Sequence, residues 1–254
     1  MRVKNKKTGR EYSILNKDWE NMQKNQTNRL FSIIDYDDKI DTLDIGCGIG
    51  GSLGWSKRVF GWSSFMGIDS SESDIKQAIN YGYKKECFIV DDIIKFDFSI
   101  FPKFRYSTIL HVLEHIESEQ DIENIINKAI SVSDEFVFIK HPFFDGDEYL
   151  KEHNLKFTWS DWVGHPTHIG KDMLTKILNK TGLQYVIGFV NEIKDSSFDL
   201  IIPYSAPIDT LKYDKVKHGK KKFVEFDGNI FHETYAFINT GCKNWEKLIK
   251  TKVL

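Results

Sequence analysis

Thr42-Leu-Asp-Ile-Gly-Cys-Gly-Ile-Gly-Gly51 joins a short apolar strand pattern to a glycine-rich turn. Such a turn, after a strand and before a helix, is where backbone N–H groups approach a nucleotide closely. Gly46, Gly48 and Gly51 fit the dinucleotide GxGxxG spacing, but Asp44 stands two residues before Gly46. A carboxylate there repels a pyrophosphate seated on the helix N-terminus and suits a ligand carrying an ammonium group. Asp69 closes the next strand pattern, Phe65-Met-Gly-Ile-Asp69, where an acid can accept both hydroxyls of a ribose. A third pattern, Cys87-Phe-Ile-Val-Asp-Asp92, ends in carboxylates suited to an adenine amino group.

Working outward, β-branched apolar runs recur at Thr42–Ile45, Ser64–Ile68, Glu86–Val90, Arg105–Leu110, Glu135–Ile139, Gln184–Val190 and Glu233–Asn239. Helical patterns lie among the first six. Ser71 predicts an N-cap for a helix through Tyr81, stopped by Gly82. Ile122, Ile125, Ile126, Ala129 and Ile130 repeat at helical spacing, as do Leu174, Ile177 and Leu178 before Gly182. This alternation predicts an α/β chain, a doubly wound and mostly parallel seven-stranded sheet. Residues 1–39 read as a helical N-terminal extension centred on Lys17–Ile34. Residues 191–232 are too long for a plain connection and predict a cap inserted between the last two strands. Pro142–Ile169 is a second cap candidate. The whole of 1–254 reads as one domain.

Hydrophobic residues make up 41% of the chain and charged residues 28%, which excludes a disordered segment and a disulfide-stapled scaffold. A net charge of −2 gives no bulk attraction to phosphate backbones. No apolar run reaches the ~20 residues of a membrane helix. Three cysteines without a CxxC pair read as free thiols of a reducing compartment, hence a cytoplasmic protein.

The glycine turn, Asp69 and Asp92, in this order, resemble the class I S-adenosylmethionine-dependent methyltransferases from Asp41 to Gly182, with Glu233–Gly241 similar to that family's closing antiparallel strand. The resemblance implies a Rossmann-like fold and S-adenosyl-L-methionine as cofactor. It implies that Asp44, Gly46, Cys47, Gly48 and Gly50 line the methionine end and that Asp69 and Ser70 meet the ribose. Asp92 with the Ile93 backbone is implied at the adenine, and His111 beside the methyl group. Arg105 departs from the acid usual at its position.

Phe104-Arg-Tyr-Ser-Thr-Ile-Leu-His-Val-Leu-Glu-His115 is similar to the family's fourth strand. His111, Glu114 and His115 have i, i+3, i+4 spacing, which a helical turn would bring to one face. The pattern resembles the metal-binding Glu-x-x-Glu-His of two methyltransferase groups, with His111 in place of the first Glu. It implies a divalent ion on His111, Glu114, His115 and one of His165 or His168, with His168 preferred. Imidazole-rich ligation favours Fe²⁺, Mn²⁺, Co²⁺ or Zn²⁺ over Mg²⁺. Without a metal, His141, His165 and His168 are the candidate bases for deprotonating an acceptor hydroxyl.

Trp159 and Trp162 offer aromatic faces beside the histidines, and Lys212, Lys215, Lys217, Lys220, Lys221 and Lys222 offer a diphosphate clamp. The expected activity is O-methylation of a small polar molecule, a sugar or nucleotide-linked sugar of a bacterial surface glycan, without membrane or nucleic-acid partners. An RNA 2′-O-methyltransferase, a quinol or phenol O-methyltransferase and a non-catalytic S-adenosylmethionine-binding partner stay open as alternatives.

Overall fold

The computed structural model describes residues 40–252, together with an antiparallel strand pair near the N-terminus, β1 (Arg2–Lys4) and β2 (Glu11–Ser13). The helical pattern expected at Lys17–Ile34 lies outside the described residues. Seven strands form the main sheet: β3 (Thr42–Ile45), β4 (Phe65–Asp69), β5 (Phe88–Val90), β6 (Phe104–Leu110), β7 (Ser133–Pro142), β9 (Tyr185–Glu192) and β11 (Phe231–Asn239). Their order is β5-β4-β3-β6-β7-β11-β9, with β11 antiparallel to both its neighbours. All seven expected strands are present. β7 begins earlier and ends later than its apolar run, so His141 lies within the strand and not beyond it.

The sheet separates two cores, and strand alternation assigns residues to each. Leu43, Ile45, Val137 and Ile139 face one side, under the helices Glu119–Val132 and Lys171–Asn179. Phe136, Phe138 and Phe237 face the other, under the helix Gly51–Phe60, where Trp55 stacks on Phe138 at 5.3 Å. The Ser118 hydroxyl accepts from the Asp121 N–H, and the expected apolar stripe Ile122, Ile125, Ile126 and Ala129 is buried against the sheet. Likewise the Ser71 hydroxyl caps the helix Glu72–Asn80.

The chain runs from β3 outward to β5, then returns to lay β6 on the opposite side of β3. Such a reversal leaves a crevice beyond the carboxyl ends of the two diverging strands. The glycine turn follows β3 and His111 follows β6, so both border it.

The two cap candidates pack together. β8 (Leu155–Phe157), from the first, pairs antiparallel with β10 (Ile201–Pro203), from the second. Phe143, Leu150, Phe157, Trp159, Ile201, Phe226 and Ile230 share a third apolar core. The inserted lobe is therefore made by 143–170 as much as by the segment between β9 and β11. Trp159 belongs to this core, stacked on Phe157 at 4.3 Å with its indole N–H donating to the Phe143 carbonyl, and offers no face to a ligand. No described helix is long and apolar enough to cross a membrane. Phe157 is fully buried. Phe157→Ala should cost roughly 3–5 kcal/mol in urea unfolding. A loss below ~1 kcal/mol would show that the lobe core does not support the fold.

Candidate active site

β3 and β6 are in register with Asp44 opposite Thr108. The Thr108 hydroxyl donates to Asp44 Oδ1 at 2.6 Å, and the Ser52 hydroxyl, from the first turn of the following helix, donates to Oδ2. Asp44 is fully buried, and burial pushes its carboxyl up to about 6 despite the two hydroxyls. Its oxygens face inward and tie strand, helix and neighbouring strand together.

Beyond it the backbone turns sharply. Gly46 has φ +72°, and a Cβ there would lie 2.4 Å from Val112 Cγ2. Gly48, at φ +48°, is different, since a Cβ would meet nothing within 4 Å. The space above it is open. Cys47, by contrast, is buried, with its thiol pushed well up by burial. The Gly48 N–H donates to Asp69 Oδ2 and the Ser71 N–H to Oδ1, both at 2.8 Å. Each carboxylate oxygen can accept twice, so Asp69 retains two acceptor positions beside the open space. Ser70 is exposed next to it. At the end of β5, Asp92 Oδ1 accepts from the Ile94 N–H at 2.9 Å and Oδ2 lies 3.4 Å from Lys95. These contacts hold its carboxyl below the usual range, and Ile93 is buried behind it.

The histidines do not gather as the spacing suggested. Leu113–His115 is a single 3-10 turn and His111 precedes it with φ +55°, so no helical face carries all three residues. His111 Nε2 bonds Glu233 Oε1 at 2.9 Å, and Lys140 joins the same oxygen at 2.9 Å. His111 Nδ1 stands 3.5 Å from Glu114. Against the cost of burial, the two carboxylates raise His111 to about 9. His168 turns away as well: its Nδ1 pairs with Asp147 at 3.0 Å and its ring stacks on Phe144 at 4.6 Å. The Asp147 carboxylate raises its pKa.

Glu114, His115 and His165 do converge, each with a ligand atom within 4.8 Å of the others. The structure thus favours His165, the alternative to His168, and leaves His111 outside the triad. Glu114 is 1% exposed, and neither of its oxygens has a hydrogen-bond donor among the described residues. Burial would raise its pKa, but His111, then the charges of His115 and His141, hold it lowered. His115 Nδ1 lies 2.6 Å from the Gly164 carbonyl and His165 Nδ1 3.2 Å from the Trp159 carbonyl. A carbonyl only accepts, so Nδ1 of each ring carries a proton and fixes the ring's orientation. Burial pushes His165 down to about 4, leaving it neutral at pH 7. His141 is fully buried with Nδ1 on the Pro142 carbonyl, its Nε2 has no partner among the described residues, and its pKa is lowered.

Glu233, Lys140 and Asp147 were missed from sequence. Glu233 carried a signal, an acid within an apolar strand; Asp147 carried none. Half of the lysine run is spent internally. Lys212 pairs with Asp199, Lys217 with Asp214, and Lys221 donates to the Phe198 and Ile201 carbonyls.

Solved structures resemble this arrangement. A SAM-dependent methyltransferase from Archaeoglobus fulgidus matches with TM-score 0.53 and 19% identity over 87% of this chain and 94% of its own. The plantazolicin methyltransferase BpumL, in complex with a pentazolic desmethyl analogue and SAH, matches with TM-score 0.50 and 15% identity over 88% and 84%. This chain has the class I methyltransferase fold. No family model and no curated protein sequence matches it. In a methyltransferase fold the glycine turn, Asp69 and Asp92 occupy successive carboxyl ends of β3, β4 and β5, along one edge of the crevice.

Because the Asp44 pKa is raised in the folded state, its ionisation opposes folding, and that cost grows as pH climbs from 3.8 to about 6. Relative to wild type, Asp44→Asn should gain up to about 3 kcal/mol in stability between pH 4 and pH 7. A stability difference that stays flat across this range, measured by urea unfolding, would contradict the assignment.

Proposed function

We propose that this chain binds S-adenosyl-L-methionine along the crevice and methylates a hydroxyl of a small polar acceptor, a sugar in the preferred reading. The observation that carries this reading is the open space over Gly48, bordered by the two spare acceptor positions of Asp69. A ribose diol supplies two O–H donors for those positions. Ser70 borders the same space, and Asp92 with the Ile93 backbone takes the adenine edge. Asp44, Gly46, Cys47 and Gly50 shape the turn behind them, and His111 borders the far side of the crevice.

The reaction is an in-line displacement: the acceptor oxygen attacks the sulfonium methyl, the methyl–sulfur bond breaks to release S-adenosylhomocysteine, and the oxygen gives up its proton to a base. Most of the protein's contribution is positioning. The residues that must manage the proton are those converging after β6.

Glu114, His115 and His165 fit a divalent ion. The Glu114 carboxylate, faced by the His111 imidazole at 3.5 Å, also lies beside His115 and His165, whose Nδ1 atoms are held on backbone carbonyls. This two-nitrogen, one-oxygen set suits Fe²⁺, Mn²⁺, Co²⁺ or Zn²⁺ before Mg²⁺. A bound ion would lower the pKa of an acceptor hydroxyl by several units. His168, held in orientation by Asp147, is the alternative base. The Asp147 carboxylate beside it would stabilise the imidazolium formed on proton uptake.

With methyl-labelled S-adenosylmethionine and a panel of mono- and oligosaccharides, label should enter the acceptor. Asp69→Ala should raise KM for the donor roughly tenfold to a hundredfold, the worth of one or two charge-assisted hydrogen bonds. Transfer to RNA or a phenol alone, or no transfer at all, would refute the acceptor reading. Metal analysis of untagged protein, reconstituted anaerobically, should find about one ion per chain in wild type, as a single closed set of three ligands holds one ion. His115→Ala should remove it. A metal-free wild type would leave His168 as the base.

A further inference from the structure

The inserted lobe holds a cavity of about 600 Å³, bordered by Asp147, Lys156, Asp161, His168, Tyr204 and Ile208. That volume lies within the roughly 300–1,000 Å³ range of small-molecule sites. Its charges are matched. Asp147 pairs with His168 at 3.0 Å, Asp161 with Lys156, and Glu148 with Lys151 at 3.6 Å. No cation is left over for a phosphate, and no carboxylate for an ammonium.

What the pairs leave is hydrogen-bonding capacity. Asp161 Oδ1 is buried without a hydrogen-bond partner among the described residues, so it lacks a donor. Lys156 is buried and gives two of its three N–H donors to Asp161 and the Ala206 carbonyl, keeping one. His168 Nδ1 stands 3.0 Å from Asp147 Oδ2, an oxygen without a hydrogen-bond donor among the described residues. Donors and acceptors without net charge are what a polyol satisfies. Tyr204 adds an apolar face, 49% exposed, with the Lys156 ammonium 5.7 Å from its ring centre. A pyranose ring has both complements, a C–H face and a rim of hydroxyls.

Phe144 connects this cavity to the cluster after β6. Its ring stacks on His168 at 4.6 Å and stands edge-on to His165 at 6.0 Å. A ligand against His168 is thus one aromatic ring away from Glu114, His115 and His165.

We infer that the lobe cavity between Asp161 and Tyr204 binds a neutral saccharide ring of the acceptor. This rests on the proposed methylation only in calling that ligand the acceptor. It also separates a neutral sugar from a nucleotide-linked one, for which the lobe offers no unpaired cation at this cavity.

Saturation-transfer NMR on the full chain, with S-adenosylhomocysteine present, tests it with D-galactose, D-mannose, L-rhamnose and glucose 6-phosphate as probes. At least one neutral sugar should receive saturation on its ring protons. Tyr204→Ala should weaken that binding about tenfold, the loss of one stacked face. Asp161→Asn should weaken it as well, and Tyr204→Ala should still bind S-adenosylhomocysteine, which reports a folded protein. Saturation of none of the neutral sugars, a preference for glucose 6-phosphate, or unchanged binding in folded Tyr204→Ala would each overturn the inference. Sugar binding that depends on Tyr204 in a protein that fails to bind S-adenosylhomocysteine would instead refute methyl transfer and leave the saccharide site standing. Donor binding without sugar binding would do the reverse.

Discussion

The buried carboxylate of Asp44 is the joint on which this molecule turns. It accepts from Thr108 on β6 and from Ser52 in the helix after the glycine turn. The two strands it connects are those between which the chain reverses direction across the sheet, where an open α/β sheet leaves a crevice. Holding an acid there against burial costs stability, and two hydroxyls offset only part of that cost. In return the glycine turn is held at a fixed angle to β6. Gly46 packs under Val112, and Gly48 stands open above Asp69. A rigid strand end thus presents a glycine-rich sequence in one defined shape.

The opposite border of the crevice stores a second set of costs. His111 holds a left-handed backbone that few residues other than glycine adopt, secured by its N–H on the Lys140 carbonyl and its ring on Glu233. Within the next turn the chain buries Glu114 without a hydrogen-bond donor among the described residues. A left-handed residue and a buried carboxylate thus lie within one short stretch, beside His115 and His165. The inserted lobe contributes His165 and His168, so lobe and sheet meet at the same chemistry.

Much of the fold was legible because its signals are local. Apolar strands of three to ten residues alternate with helices whose caps, Ser71 and Ser118, and stripes are written in neighbouring positions. The glycine turn and Asp69 could be read for the same reason. The histidine site was only half legible. Spacing suggested that His111, Glu114 and His115 share a helical face, but a 3-10 turn and a positive φ at His111 redirect that ring towards Glu233. Its partner is 122 positions away in sequence. His168 turns to Asp147 and not to Glu114 and His115, a contact no periodicity encodes. Lobe residues 143–170 and 193–230 join through β8 and β10, each only three residues long, too short for a pattern to declare.

The crevice along β3, β4 and β5 is the proposed methyl-donor site. An amide NMR titration of the intact chain with S-adenosylhomocysteine tests it most directly. Shifts should concentrate at Gly48, Ser70 and Ile93, with Gly182 and the lobe strands β8 and β10 unmoved. Saturable shifts confined to other parts of the molecule, or none at all, would contradict it.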